Sequence, residues 1–537
     1  MLLAVAASGH LTRLLPLKLP LPIAQILLGA MIAWSSSHSV SLQPDLFFLL
    51  FLPPLLFLDG WRIPKSDLFR DKWGILALAF GLVIFTVLGL GYLIHALIPA
   101  LPLPIAFALA AVLSPTDPVA VSSITQGIPI PKRVMRILEG ESLLNDASGL
   151  VCFRFAVAAA LSGTFSALDA GLSLLWVTVL GIGMGAGVTW LISATQRYLS
   201  RHFGEVNGSP ILINLITPFG AYLAAEHVGG SGILAAVSAG ITMSYVELSG
   251  RALATTRVQR AAVWETIQFT LNGIMFVLLG EQLPAIFRRA ASTVETAGHL
   301  SSWWLLVYAL AILLALIVLR YLWVWFTWRC GLILGKRLCR TVPALRHRLV
   351  AVMSLAGVRG AVTLAGVLTL PIEAAEGIPL PGRDLAIFLS ATTILLSLLV
   401  ANFGLPCLLR SLALPEETQE NREIDFARFE AAQKAIAAIE EARRSISENN
   451  AEISELYTNA AVRVIANYKP RIESQGVMGS VAAEKLREAD QAEIALRLAA
   501  LRAERETIFH LARLGDISDE TSRKLVRQID LQEARYR

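Results

Sequence analysis

The chain has 537 residues, of which 55% are hydrophobic and 16% are charged, and its formal net charge is +5. This composition lies outside the range of ordinary soluble domains and predicts an integral membrane protein. The bases are not clustered with aromatic residues, which argues against nucleic-acid binding. The four cysteines show no CxxC spacing, so neither a zinc site nor a disulfide framework is indicated.

The charged residues divide the chain into two parts. Residues 1–414 contain 18 acidic and 27 basic residues, whereas residues 415–537 contain 23 and 19 in under a quarter of the length. We therefore predict a membrane domain over 1–414 and a charged helical tail over 415–537. Helical periodicity covers 423–465 and 481–512 of the tail, and a turn with an N-cap precedes a last helix.

Thirteen apolar segments are close to the length that crosses a bilayer, about 20 residues each. They lie at 1–17, 22–36, 45–60, 73–97, 103–126, 137–161, 170–195, 209–227, 230–246, 261–281, 303–328, 348–370 and 385–409. The loops after the first six odd-numbered segments, with the adjoining segment ends, hold 20 Lys and Arg, and the other six loops hold three. The positive-inside rule then predicts an outside N-terminus and a cytoplasmic tail.

The fifth segment contains the run LSPTDPVAV at residues 113–121. Pro115 and Pro118 flank Thr116 and Asp117, and two prolines three apart should unwind the helix there. Unwound backbone at membrane depth is tolerated where it lines a cavity, and broken helices of this kind hold ions in secondary transporters. A simple kink in which Asp117 caps the second half-helix explains the run as well, and the two interpretations are compatible.

The sixth segment carries acidic residues inside an apolar helix, in the run LEGESLLNDASGLV at 138–151. Ionisable groups at this depth are costly and typically mark an ion pathway. Ser142 and Asp146 are four residues apart and share one helical face, and Glu141 and Asn145 share the neighbouring face. Their oxygen atoms suit hard cations and protons rather than soft metals. Glu139 is a further acid of this run.

The twelfth segment contains Arg359 between Gly357 and Gly360. A buried arginine needs a carboxylate or carbonyl partner, and the sequence leaves open Glu141, Glu139 or the free carbonyl ends of broken helices. Arg359 keeps its proton, so we expect an electrostatic and structural role. The fifth and twelfth segments are seven apart, which indicates inverted repeats over segments 1–6 and 8–13 with paired broken helices.

Other charged residues have ordinary explanations. Asp59 lies near the cytosolic end of the third segment and can pair with Arg62, and Arg154 can pair with a nearby acid such as Glu265. Arg320 is expected to snorkel or to be paired. Pathway lining and helix packing remain equally open for two residues of the tenth segment, Glu265 and Asn272.

The three stretches together resemble the monovalent cation:proton antiporters of the sodium/proton exchanger type, in the bacterial NhaP-like branch. The matching residues are Thr116, Asp117, Pro118, Glu141, Ser142, Asn145, Asp146, Arg359, Gly360 and Ala361. The resemblance implies a thirteen-span all-α fold with inverted repeats, a six-helix core domain that moves against a dimerisation domain, and a homodimer. It also implies that Asp146 carries the cation or the proton, that Thr116, Glu141 and Ser142 help to bind the ion, and that an Asn-Asp pair accompanies electroneutral exchange.

We therefore expect a secondary antiporter of the bacterial inner membrane that exchanges Na⁺, or alternatively K⁺ or Li⁺, for H⁺ and serves pH homeostasis. Cation and proton would compete at Asp146, with Asn145, Ser142, Glu141, Asp117 and Thr116 around it and Arg359 as an electrostatic support. No GxxxxGK[ST] motif is present, so ATP drive is not expected. No cofactor is expected, and the partners are the two ions, membrane lipid and a second copy of the chain.

Three other functions remain open from the sequence. The first is an antiporter that prefers K⁺. The second is a cation channel, although no TVGYG-like filter is present. The third is an intramembrane enzyme with Asp117 and Asp146 as an aspartyl dyad, which the Pro-broken helix and the additional Glu, Asn and Arg residues make less favourable. A cation-sensing receptor that uses the tail as its output is a more remote alternative.

Overall fold

A computed structural model describes most of the chain. The described residues are 1–14, 20–35, 44–63, 71–125, 130, 132–162, 167–203, 208–247, 254–296, 303–330, 343–371, 373–375, 378–410, 418–449, 454–466, 468, 481–514 and 516–534. The chain forms two compact units, Met1–Ala413 and Leu414–Arg537.

Where the structure describes it, the first unit is helical apart from one short antiparallel pair of extended segments. Its first seven helices are α1 (Leu2–Leu14), α2 (Leu21–Ser35), α3 (Pro44–Arg62), α4 (Lys72–Leu97), α5 (Leu103–Leu113), α6 (Pro118–Ile124) and α7 (Lys132–Ser162). There follow α8 (Ala167–Phe203), α9 (Ser209–His227), α10 (Gly232–Glu247), α11 (Ala254–Thr296), α12 (Trp303–Arg329), α13 (Pro343–Leu355), α14 (Ala361–Leu368) and α15 (Arg383–Arg410). The extended pair, β1 (Glu373–Ala375) and β2 (Ile378–Pro379), lies between α14 and α15.

Each of the thirteen apolar segments expected from the sequence overlaps one of these helices or an interrupted pair. Within the described residues, six helices are long and apolar enough to cross a membrane, and the α5–α6 pair would make a seventh. Helices satisfy their own backbone hydrogen bonds, which is why long apolar segments fold in this way in a membrane. The count of thirteen spans stays a prediction.

The helices of the first unit fall into two groups that pack mainly within themselves. The core group comprises α4–α7 and α12–α15, and the scaffold group comprises α1–α3 and α8–α11. Between the groups lies an apolar layer that includes Phe51 and Leu52 of α3, Leu143 and Ala147 of α7, and Met275 of α11. This layer holds the two groups together with few polar contacts.

Glycines allow the closest helix contact of the scaffold group, between α2 and α11. A Cβ added at Gly29 would lie 2.0 Å from the carbonyl oxygen of Val277, and one added at Gly280 would lie 2.0 Å from that of Ile26. The two backbones therefore touch at a reciprocal pair of glycines. Small residues at helix interfaces are a common way for membrane helices to approach each other.

A π-helical turn in α4 positions α7, the helix that carries Glu139, Glu141 and Asp146. Residues Ala77–Leu82 wind as a π-helix, which leaves carbonyl groups outside the regular ladder. Ser148 Oγ donates to Ala79 O at 2.6 Å, and Trp323 Nε1 donates to Ala77 O at 2.9 Å. The turn thus joins α4 to α12 and to α7. On α7 the contact is made by Ser148, which lies two residues beyond Asp146.

The second unit consists of two helical hairpins. They are formed by α16 (Thr418–Asn449) with α17 (Ser454–Ala466), and by α18 (Val481–Leu514) with α19 (Asp519–Glu533). The predicted N-cap is confirmed, because Ser518 Oγ accepts from Thr521 N at 3.2 Å. Arg505 of α18 pairs with Asp530 at 2.8 Å and with Glu533, which fixes the second hairpin.

The α2–α11 contact predicts that alanine lowers stability at a glycine within the contact but not at a glycine outside it. Gly280→Ala should lower the thermal stability of the detergent-solubilised protein by about 1–3 kcal/mol, because the new methyl group meets the Ile26 carbonyl. At Gly183 of α8 no described atom lies within 4 Å of the added Cβ. Gly183→Ala should be neutral or should stabilise by about 0.5–1 kcal/mol. Equal melting temperatures for the two variants would contradict the contact.

Candidate ion-binding site

Two interrupted helices meet in the middle of the core group. Residues 114–117 separate α5 from α6, which are bent by 49° relative to each other, and residues 356–360 separate α13 from α14. Asp117 N in the first interruption donates to Val358 O in the second at 2.8 Å. Both interruptions predicted from the sequence are confirmed, and the structure adds that they contact each other.

The side chain of Asp117 makes two sets of contacts where the interruptions meet. Its Oδ1 accepts from Val119 N at 2.8 Å and from Ala120 N at 3.4 Å, so it caps α6 as predicted. Its side chain also packs on Gly360, where an added Cβ would lie 2.5 Å from Asp117 Oδ2. Gly360 is therefore required by the close approach of the two interruptions.

Arg359 binds the carbonyl ends of the first interruption. Its Nη1 donates to Ser114 O at 2.8 Å and to Pro115 O at 2.9 Å, and its own backbone N donates to Ser397 Oγ at 3.1 Å. Of the partners that the sequence left open, the structure selects the free carbonyls. No ion pair joins Arg359 to Glu139 or Glu141 within the described part of the chain. The guanidinium replaces the backbone hydrogen bonds that the prolines remove.

Glu141 is paired with Arg320 of α12. Arg320 Nη1 and Nη2 donate to Glu141 Oε1 and Oε2 at 2.5 and 2.7 Å, and Arg320 Nε donates to Met353 O at 2.9 Å. Both side chains are almost completely buried, at 2% and 1% exposure. Bidentate pairing of this kind is the strongest geometry available to an arginine and a carboxylate.

A short hydrogen-bond chain leads from this ion pair to the first interruption. Thr116 Oγ1 donates to Glu141 Oε1 at 3.2 Å, and Asn145 Nδ2 donates to Thr116 Oγ1 at 3.0 Å. The carboxylate of Glu141 therefore fixes the hydroxyl group of Thr116, which in turn fixes the amide of Asn145. The predicted proximity of these three residues is observed.

A cavity of about 60 Å³ lies between the core and scaffold groups. A water molecule needs roughly 10–15 Å³ on this measure, so the cavity has room for several waters or a partly hydrated cation. The core group contributes Thr116, Asp117, Ser142, Asp146, Gly360 and Thr363 to its lining, and the scaffold group contributes Asp59, Gln268, Asn272 and Met275.

Asp146 is the acid of α7 that faces this cavity. Its side chain is buried, and no described cation lies within ion-pair distance of its carboxylate. Ser142 lines the cavity one turn before it, as the helical spacing predicted. Glu141, in contrast, is outside the lining and has Arg320 as its counter-ion. Two acids of one helix thus have different surroundings.

Among the described residues, three polar side chains line the cavity that the motifs did not single out. Asp59 lines it, and Arg62, its expected partner, instead donates from Nη1 to Gln268 Oε1 at 2.6 Å. Gln268 and Thr363 also line the cavity. Only Asp59 had a visible signal, because it is an acid within an apolar segment. Asn272 also lines the cavity, so the structure favours the first of the two interpretations that its sequence position left open.

Arg154 pairs with a different acid from the one suggested by sequence. Its Nη2 lies 3.8 Å from Glu226 Oε1 at the end of α9, rather than near Glu265. Glu226 Oε1 also accepts from Gly232 N at 3.1 Å and so caps the start of α10. Arg154 is 67% exposed and stands outside the cavity, so it takes no direct part in the site.

A family model matches the larger part of this chain, and two curated relatives match nearly all of it. The model described as "Sodium/hydrogen exchanger, transmembrane" matches residues 1–411. A relative from Escherichia coli K12, named as the uncharacterized Na⁺/H⁺ exchanger YjcE, is 40% identical over 540 residues, which cover 99% of this chain and 97% of the relative. The sodium, potassium, lithium and rubidium/H⁺ antiporter of Bacillus subtilis 168 is 36% identical over 540 residues, which cover 100% of this chain and 77% of that protein.

A solved structure supports the fold. The sodium proton antiporter MjNhaP1 of Methanocaldococcus jannaschii superposes with a TM-score of 0.56 at 18% sequence identity, over 76% of this chain and 97% of that one. At this identity the likeness concerns the fold alone. It agrees with the helical architecture described above.

The buried ion pair predicts that the loss of one partner is worse than the loss of both charges. Arg320→Met should destabilise the protein by about 3–5 kcal/mol, because it leaves the Glu141 carboxylate buried and unpaired. The double variant Glu141→Gln/Arg320→Met should recover a large part of that loss in thermal melting. Arg329→Met, at an exposed arginine of the same helix, serves as the control. A double variant as unstable as the single one would contradict the pairing.

Proposed function

Because this chain belongs to the sodium/hydrogen exchanger family, we propose that it is a secondary antiporter that exchanges a monovalent cation for H⁺ at the cavity between its two helix groups. The observation that carries the proposal is Asp146, a buried carboxylate that lines the cavity and has no counter-ion among the described residues. A buried charge without a partner is costly, so this carboxylate requires a proton or a cation.

The coupling follows from competition at Asp146. A protonated Asp146 has lost the charge that holds a cation, and a deprotonated Asp146 can bind one with Ser142 and Thr116 as further oxygen ligands. Only the neutralised site crosses between the two sides at low cost, because a bare carboxylate resists transfer through a dry barrier. Both ions therefore move by the same rearrangement, in opposite directions.

We assign the neighbouring residues supporting roles. Glu141 was expected to bind the ion, and its pairing with Arg320 favours a positioning role, in which it fixes Thr116. Asp117 keeps α6 capped beside the cavity, and Arg359 holds the carbonyls of the first interruption. Asp59 adds a third carboxylate to the lining, from the scaffold side.

The cation is Na⁺, with K⁺ and Li⁺ as further substrates. The Bacillus subtilis relative is named as a sodium, potassium, lithium and rubidium/H⁺ antiporter, which supports a broad range of cations. The alternative is a preference for K⁺. The family is one of transporters rather than enzymes, and this removes the intramembrane enzyme from consideration. No cofactor takes part in the proposed cycle.

We propose the membrane topology, the moving parts and the oligomeric state from the sequence. Thirteen spans in inverted repeats place the N-terminus outside and the tail of residues 415–537 in the cytoplasm, in the bacterial inner membrane. The core group moves against the scaffold group, and two copies of the chain form a homodimer. The exchange serves the control of internal pH.

The competition proposal predicts that Asp146→Asn abolishes exchange. In proteoliposomes loaded with a pH dye, a Na⁺ or K⁺ pulse should give no pH change beyond that of empty vesicles, because the amide neither binds a proton nor compensates a cation. Asp384→Asn, at a partly exposed acid outside the cavity, is the control and should exchange normally. Size-exclusion chromatography checks folding. Normal cation uptake driven by a pH gradient in the Asp146 variant would refute the proposal.

One-for-one exchange predicts indifference to membrane potential. Asn145 stands beside Asp146 where electrogenic relatives have a second acid, and the resemblance to exchangers with an Asn-Asp pair implies a cycle without net charge. A second proton would add about 2.3 kcal/mol per 100 mV to the driving force. With the membrane potential imposed by a gradient of a permeant anion such as thiocyanate, so that Na⁺ is the one substrate cation present, the ratio of Na⁺ concentrations at which flux reverses should equal the proton ratio. A reversal point that moves with the imposed potential would contradict electroneutrality, and a cation flux without proton movement would indicate a channel.

A further inference from the structure

Arg62 donates a hydrogen bond to a residue that lines the cavity. Arg62 is the last residue of α3, one turn beyond Asp59, and its side chain is exposed. Its Nη1 donates to Oε1 of Gln268 at 2.6 Å. Gln268 lies on α11 and lines the cavity together with Asp59.

The direction of the Gln268 amide follows from hydrogen-bond chemistry. An arginine has only donors, so the amide must present its oxygen to Arg62. The amide nitrogen, with its two N–H donors, is then the end of Gln268 that Arg62 does not bind. While this contact holds, one acceptor position of the amide oxygen is occupied, which leaves less of it for a cation.

We propose that Arg62 and Gln268 form an affinity-setting pair at the edge of the cavity, which keeps cation binding weak enough for rapid release. The proposal rests on the antiport function proposed above and names a specificity-determining element of the same site. The positive charge of Arg62 lies one turn from Asp59 on α3 and partly compensates the carboxylate of Asp59, whereas Asp146 keeps no counter-ion among the described residues. An entering cation has to replace this stabilisation.

A pair of this kind suits a transporter because the ion must leave as readily as it enters. Permeation requires binding that is favourable enough to admit the ion and weak enough to let it go. Three carboxylates around one cavity would by themselves hold a cation firmly. A positive group close to them lowers that affinity without removing any ligand that the exchange uses.

The two members of the pair predict opposite effects when each is replaced. Arg62→Met removes the charge and frees the Gln268 oxygen to turn toward the cavity, so the apparent KM for Na⁺ should fall about three- to tenfold. Gln268→Met releases the guanidinium, which then reaches Asp59 one turn before it on α3, so KM should rise. Arg62→Lys keeps a charge and a donor and should stay within about twofold of the parent protein.

The test measures Na⁺-dependent exchange in proteoliposomes at one fixed pH, with KM and maximal rate separated. Arg201→Met, at an exposed arginine near the end of α8, is the matched control and should leave KM unchanged. The Na⁺ concentration that half-saturates the rise in melting temperature gives a second reading of affinity without transport. It should shift in the same direction for each variant.

Failure of the affinity-setting pair and failure of the antiport function give different results in this test. A KM that is unchanged or raised in Arg62→Met, or KM values that move the same way in both variants, would overturn the affinity-setting pair. The absence of exchange in the parent protein would instead overturn the antiport proposal, because the pair only adjusts the affinity of an exchange that exists. Opposite shifts with a normal control support the pair.

Discussion

At the centre of the membrane unit two interrupted helices touch, with Asp117 N donating to Val358 O at 2.8 Å. Interrupted backbone at this depth has to recover its hydrogen bonds from the protein. Asp117 recovers those at the start of α6, and Arg359 recovers two carbonyls at the end of α5. The contact thereby fixes the wall of the cavity, and Gly360 makes the approach possible because a Cβ there would meet Asp117.

The charges around this contact divide into those that are compensated and those that remain for the ions. Glu141 has Arg320, and the pair is buried and bidentate, so its charge is settled within the protein. Asp146, one turn further along α7, faces the cavity without a described counter-ion. A buried charge without a partner costs free energy. A carboxylate can remain in such a position if it binds a proton or a cation in turn during the cycle. We regard this division between two acids five residues apart as the physical basis of the proposed exchange.

Local pattern predicted the parts of the site that depend on one helix. The prolines of the fifth segment and the glycines around Arg359 predicted both interruptions, and the i, i+4 spacing predicted that Ser142 and Asp146 share a face. The partner of Glu141 was not predicted, because Arg320 is 179 residues away and only the rotation of α12 about its axis brings it near. The same reason explains why the contact of Arg62 with Gln268 was missed and why Arg154 was matched with Glu265. Pairings between distant helices depend on packing that a one-dimensional pattern does not contain.

The most direct test of the account is the apparent KM for the cation as a function of pH. It is measured in proteoliposomes under a clamped potential, with the pH of the opposite side held constant. If proton and cation compete for Asp146, KM should rise as the pH falls, approaching about tenfold per pH unit once most sites are protonated, because the cation binds only the deprotonated carboxylate. The maximal rate at saturating cation should stay constant. A KM that is independent of pH, with a maximal rate that falls on acidification, would show that the proton acts at a separate site and would contradict the account.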